Sequence, residues 1–151
     1  MRKFILSFFA IGFLPRLPGT LTSATTAAAV YFFQILFPSP HIQVAFLISS
    51  SLLLFFLFRK EDGKDPTWVT LDEVAGQSLS LIKLHNTTLS FTSCAIGFLL
   101  FRFFDILKPT PIRQLQRLKG ALGVLADDIA AGVFSSSLLN LISILILPTA
   151  T

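Results

Sequence analysis

LTSATTAAAVYFFQILF-PSPH-IQVAFLISSSLLLFFLF, residues 21–58, contains no Asp, Glu, Lys or Arg. It divides into two apolar runs of 17 residues, Leu21–Phe37 and Ile42–Phe58, around the break Pro38-Ser39-Pro40-His41. Each run is near the lower length limit for a helix crossing a hydrocarbon core of ~30 Å. The prolines stop one helix and permit a tight reversal. Arg2, Lys3 and Arg16 precede the pair, Arg59, Lys60 and Lys64 follow it, and the break has neither Lys nor Arg. Basic residues resist translocation in short loops, so both ends of this transmembrane hairpin are expected in the cytoplasm and its tip outside. His41 then reads as a solvated loop residue.

The rest of the chain agrees with a membrane setting. Of 151 residues 53% are apolar and 13% charged, and 17 are Phe, whereas soluble domains carry about 25% charged residues. The mean hydropathy is +0.76. Stretches 4–15, 84–101 and 129–151 are also free of charge, and most charges fall in 59–83 and 102–128. This apolar load and the single Cys94 exclude disorder, a collagen-like fibre and a disulfide-stapled module. The expected fold is all-α, a helical bundle in the membrane, formed by one domain over residues 1–151. Its hairpin crosses the membrane, and two polar segments form buried site helices.

The net charge of +4 does not indicate nucleic acid, because the basic residues form no patch interleaved with aromatics. No protein partner is called for. Cys94, in an apolar and uncharged stretch, reads as a buried structural thiol. Arg2-Lys3 before Phe4–Leu14 has the start of a signal peptide, but Pro15, Arg16 and Pro18 interrupt the layout before Ala27-Ala28-Ala29, so cleavage is not expected.

Beyond the hairpin, 60–66 reads as a polar loop with solvated acids at Glu61 and Asp62. Helices are expected over 68–84, over 88–107, from Ile112, and from Asp127 to Leu147. If 84–101 crossed the bilayer, the basic loop of Lys108, Arg113, Arg117 and Lys119 would fall outside, against the positive-inside bias. Core packing of this run keeps both charged segments on one side.

Three segments hold candidate chemistry. Asp65-Pro66 leads to Asp72-Glu73-Val74-Ala75-Gly76, with paired acids interrupting an apolar helix. Phe101-Arg102-Phe103-Phe104-Asp105-Ile106-Leu107-Lys108-Pro109-Thr110-Pro111-Ile112-Arg113 places Asp105 and Lys108 on one helix face. Gly123 to Gly132 contains Asp127-Asp128. Acids near helix starts favour the dipole by only ~0.3–1 kcal/mol, and a single pair would be unremarkable on that ground. Five of eight acids in apolar surroundings are costly unless neutralised. A divalent cation, helped by Lys108, Arg102 or Arg113, is the economical solution. A carboxylate set without Cys and with few His favours Mg²⁺ over Zn²⁺. Magnesium beside basic residues at a membrane points to phosphoryl chemistry on a lipid headgroup. There is no Cys-x5-Arg loop, Asp-x-Asp motif or Walker loop. A small ion or proton transporter with intramembrane carboxylates is the alternative. A phosphatidyltransferase is disfavoured, since no Asp-Gly-x2-Ala-Arg motif follows Asp62-Gly63.

In these segments the sequence resembles the phosphatidylglycerophosphatase A family. The shared pieces are Pro18-Gly19-Thr20, Asp65-Pro66 with Asp72-Glu73-Val74-Ala75-Gly76, Phe101-Arg102 through Ile112, and Gly123 through Gly132. The resemblance implies an all-helical bundle, multi-pass in the bacterial cytoplasmic membrane, and the Lys and Arg clusters of both charged segments put its active site on the cytoplasmic face. It implies Mg²⁺-dependent removal of the terminal phosphate of phosphatidylglycerophosphate, a phospholipid substrate within the membrane. Metal or catalytic candidacy passes to Asp65, Asp72, Glu73, Asp105, Asp127 and Asp128. Substrate contact passes to Lys108, Arg102, Arg113 and Thr20. Thr22-Ser23, Gln116 and Gly120-Ala121 depart from the family's pattern.

Overall fold

The computed structural model describes residues 1–39, 41–63, 66–84, 89–115 and 118–146. Pro40, Lys64, Asp65, Gln116 and Arg117, which figured in the sequence reading, lie outside that set. The described residues contain helices and no strand. The helices are α1 (Arg2–Leu6), α2 (Pro18–Leu36), α3 (Ile42–Leu57), α4 (Leu71–Ser80), α5 (Phe91–Leu107), α6 (Ile112–Leu115) and α7 (Ala121–Ile146). The expected helical pair is present as α2 and α3. Pro18 opens α2 at its first turn, where a missing N–H costs nothing, and Pro38 follows its end. Phe33 against Phe46 and a Gln43 Nε2 to Gln34 Oε1 hydrogen bond of 3.0 Å join the two near the turn.

The short helix α4 is the centre of the bundle, packed by α2, α3, α5 and α7. Eight of its ten residues are buried, polar Asp72, Gln77, Ser78 and Ser80 among them. It runs parallel to α7: Gly76 lies against the Asp128 carbonyl, and further along Ser136 Oγ donates to the Ile82 carbonyl at 2.8 Å. The two backbones meet at Gly76 and Gly132. A Cβ at Gly132 would stand 2.6 Å from the Gly76 oxygen, so any side chain would force the helices apart. In contrast α5 runs antiparallel to α2, with Arg102 beside Ser23 and the Cys94 Sγ donating to the Ala27 carbonyl at 3.3 Å. Cys94 is buried, as its setting implied.

Three helices have boundaries that differ from the sequence reading. The helix expected over 68–84 occupies only 71–80. Upstream, Val69 N–H turns back to the Pro66 carbonyl and Thr70 N–H bonds to the Leu6 carbonyl. Downstream, α7 takes over the backbone groups: Asn140 donates to the Ile82 carbonyl at 3.0 Å and accepts from Leu84 N–H at 2.9 Å. The next helix starts at Phe91, where the Ser90 hydroxyl accepts from Ser93 N–H at 3.1 Å. The last starts at Ala121, six residues earlier than expected, so Asp127 and Asp128 lie inside α7 and do not cap it.

Large apolar side chains remain exposed along this surface, including Phe32, Phe37, Leu52, Phe56, Leu99, Phe103, Leu141 and Ile144. Among the described residues, Ala121–Leu145 is long and apolar enough to cross a membrane. Ile42–Leu57 is apolar but shorter, about 24 Å at ~1.5 Å per residue.

Asp62 is not a free loop acid. Its Oδ1 accepts from Arg2 Nη2 at 2.8 Å, and its Oδ2 accepts from Arg59 N–H at 2.8 Å and from Arg2 Nη1. The Arg2 hydrogen bond holds this carboxyl below the usual carboxylate range. A depressed folded-state pKa stabilises above the unfolded value of ~3.9 and ceases to do so as pH falls through the folded value. Asp62→Asn should therefore lower the melting temperature at pH 7, and the deficit should shrink in acid. An equal deficit at all pH values would refute the ion pair as its cause.

Candidate active site

The start of α2, the start of α4, the end of α5 and the second turn of α7 meet at one end of the bundle. They enclose a cavity of about 250 Å³ lined by Leu17, Pro18, Gly19, Thr20, Pro66, Thr67, Val69, Asp72, Glu73, Arg102, Asp105, Lys108, Asp127 and Asp128. The two polar segments thus share one side of the bundle, because α4 starts at the cavity and α5 ends there, while Phe91 and Leu99 of the run 84–101 are exposed and not packed in the core.

Each wall follows from local sequence. Leu17, in a left-handed conformation with φ 52°, turns the chain into α2 without a side-chain cap. The first free N–H groups of that helix, at Gly19 and Thr20, belong to residues lining the cavity, and such groups favour anions. Gly19 allows the closest approach. A Cβ there would lie 2.3 Å from Glu73 Oε1 and 3.4 Å from Arg102 Nη1. In α4, Asp72 and Glu73 occupy the first turn, where the helix dipole favours acids. In α5, Arg102 and Asp105 share a face three residues apart, and Lys108 follows at the same spacing. Lys108 ends the helix with φ 42°.

The acids fall into two groups. Asp105 and Asp127 are engaged by cations: Arg102 Nη1 lies 2.5 Å from Asp105 Oδ2, Lys108 Nζ 2.5 Å from Asp127 Oδ2 and 3.8 Å from Asp105 Oδ1. Asp72, Glu73 and Asp128 each bring a carboxylate oxygen within 4.8 Å of the other two. Asp72 Oδ1 and Glu73 Oε2 are buried without a hydrogen-bond partner. Burial, and after it the neighbouring Glu73 and Asp128 carboxylates, push Asp72 well above the usual carboxylate range. Burial also raises Glu73. For Lys108, burial works against the charge, but the Asp127 hydrogen bond and the three surrounding aspartates outweigh it and raise the ammonium.

Orphaned oxygens converging in a cavity, crowded enough to resist ionisation, fit a hard divalent cation with oxygen ligands. The donor set contains neither thiol nor imidazole, which Zn²⁺ sites commonly use.

Of the sequence candidates, Asp72, Glu73, Asp105, Lys108, Asp127, Asp128, Thr20 and Arg102 all line this cavity. Arg113 is exposed on α6 and does not line it. Asp65 lies outside the described residues. Ser23 figured in the sequence only as part of a departure from the family's pattern and not as a site candidate, yet its buried hydroxyl is 3.5 Å from Arg102 Nη1 and donates to the Gly19 carbonyl at 2.8 Å. Its position one helical turn after Gly19 was the available signal.

Known proteins share this sequence pattern. The family described as phosphatidylglycerophosphatase A matches residues 4–143. A Bacteroides thetaiotaomicron protein provisionally named phosphatidylinositol-3-phosphatase is 30% identical over 135 residues, covering 84% of each chain. Phosphatidylglycerophosphatase A of Escherichia coli K12 is 30% identical over 140 residues, 89% of this chain and 78% of its own. The Haemophilus influenzae protein of that name is 37% identical over 68 residues, 44% of this chain and 40% of its own. No solved structure matches.

Proposed function

The chain belongs to the phosphatidylglycerophosphatase A family, and from that premise we propose that it is a membrane lipid phosphatase. It hydrolyses the terminal phosphomonoester of phosphatidylglycerophosphate to phosphatidylglycerol and phosphate. The observation that supports this most strongly is the union, in one cavity, of an unneutralised acidic triad with two cations and a free helix N-terminus.

Asp72, Glu73 and Asp128 hold Mg²⁺, which when bound offsets their charge and polarises a phosphoryl oxygen. Arg102 and Lys108 face the remaining phosphate oxygens. Arg102 keeps its Nε without a partner in the structure. Asp105 and Asp127 fix those two cations in place. The N–H groups of Gly19 and Thr20 add neutral donors at the helix start. Water attacks phosphorus, an oxygen of Asp72 or Glu73 not engaged by the metal takes its proton, and the same carboxyl returns that proton to the glycerol oxygen as its bond to phosphorus breaks, giving the alcohol and phosphate. An ion pathway would be served by acids spread along the bundle, whereas these gather at one end.

The purified chain in detergent should release phosphate from phosphatidylglycerophosphate, with EDTA abolishing release and excess Mg²⁺ restoring it. Release that persists in EDTA, or none with metal present, would refute the proposal. Phosphatidylinositol 3-phosphate belongs in the same assay, and preference for it would transfer the headgroup assignment to the Bacteroides relative's.

The same proposal places α2, α3 and α7 across the bacterial cytoplasmic membrane with the cavity facing the cytoplasm. Arg2, Lys3, Arg16, Arg59, Arg102 and Lys108 belong to the cavity end, while the α2–α3 turn has no Lys or Arg. In a Cys94→Ser background, exposed His41→Cys should react with an impermeant thiol reagent on intact cells. Exposed Glu61→Cys should react only after the membrane is opened. The reverse pattern would invert the topology.

A further inference from the structure

Beside the acid cavity lies a second pocket of about 480 Å³, formed by Gly12–Pro15 and Trp68 and sharing Pro18 and Thr67 with it. Unlike the acid cavity, it is lined by no charged residue. Phe13 stacks on Trp68 with ring centroids 5.9 Å apart and planes 13° apart, and Phe13 and Leu14 are 53% and 46% exposed. Lys3 Nζ stands 5.7 Å from the centre of the Trp68 ring. A charged cavity and an uncharged pocket with an aromatic wall, sharing Pro18 and Thr67, suit a ligand with one charged end and an uncharged, partly apolar remainder.

We propose that this second pocket seats the glycerol backbone and first acyl carbons of the phospholipid whose terminal phosphate occupies the acid cavity. The proposal rests on the lipid-phosphatase reading above. The Phe13–Trp68 pair forms the apolar wall, and the Lys3 ammonium beside it complements the phosphodiester that joins headgroup to diacylglycerol. A pocket of this volume is within the range of ~300–1,000 Å³ usual for small-molecule sites. An apolar protein segment would satisfy Phe13 and Leu14, but it would leave the continuity with the acid cavity without a purpose.

Trp68 is the chain's single tryptophan, so its fluorescence reports this pocket alone. The probe is a phosphatidylglycerophosphate analogue with a non-hydrolysable terminal phosphonate and bromines on the first acyl carbons. Phosphatidylcholine brominated at the same positions gives the micelle background. The full-length chain should show saturable quenching above that background, reversed by the unbrominated analogue. Phe13→Ala should raise the half-saturating concentration about tenfold, the size expected for losing one buried aromatic contact. It should raise KM for the long-chain substrate in parallel while kcat changes less than about twofold. The preference for long-chain over deacylated substrate should fall with it. Quenching no greater than with brominated phosphatidylcholine would overturn the proposal. So would a Phe13→Ala protein whose half-saturation and KM equal those of the wild type. Turnover of the lipid without specific quenching would refute the pocket and leave the phosphatase reading standing. Specific quenching without turnover would refute the phosphatase reading and leave the pocket occupied.

Discussion

Asp128→Asn is expected to lower phosphate release by at least about 10²–10³-fold, the range seen when one fixed electrostatic contributor is removed from an active site. The fold should survive. Asp128 is buried within α7 beside Asp72 and Glu73, so without metal its charge opposes theirs in a setting where water cannot screen it. Neutralising it should leave the metal-free protein as stable as the wild type or more so. The variant should also lose the rise in melting temperature that Mg²⁺ gives the wild type, since that rise depends on binding to the folded state. Asp72→Asn and Glu73→Gln should behave alike. Activity retained by all three would remove the triad from the reaction.

Gly19→Ala should have the second-largest effect, although the residue carries no functional group. The added Cβ would fall 2.3 Å from Glu73 Oε1, closer than any carbon–oxygen contact allows. The end of a flexible side chain is the part that yields, so the bundle should stay folded while Glu73 leaves the triad. A displacement near 1 Å can cost about 10²-fold in rate, and a loss of that order in kcat is expected. Shortening the acid in the Gly19→Ala, Glu73→Asp double variant should recover part of the loss. If Glu73→Asp made the double variant worse by the full factor it costs alone, the contact would not explain the defect.

Charge pattern made much of this arrangement legible in the sequence. Acids in an apolar chain are costly, so their clustering with Lys108 and Arg102 marked the segments that meet in the cavity. Helix-breaking prolines placed the turn between α2 and α3. What the sequence did not disclose depends on tertiary contacts. Asp72 and Asp127 look alike as first members of acidic pairs. Only the approach of α5 shows that Asp127 is bound by Lys108 while Asp72 retains an orphaned oxygen. The end of α4 was misjudged because Asn140 and Ser136, more than fifty residues away, capture its following backbone groups. The start of α7 was placed too late because acids inside a helix resemble acids at its first turn. Asp62 looked solvated because its partner, Arg2, is 60 positions away.

Electron paramagnetic resonance of Mn²⁺ titrated into the purified chain, as a stand-in for Mg²⁺, reads out whether Asp72, Glu73 and Asp128 hold the metal. The wild type should bind one Mn²⁺ per chain, displaced by Mg²⁺, and so should Glu61→Gln, which alters an exposed acid that does not line the cavity. Asp128→Asn should lose that binding. Mn²⁺ binding by Asp128→Asn equal to that of the wild type would contradict the assignment of the metal to Asp72, Glu73 and Asp128.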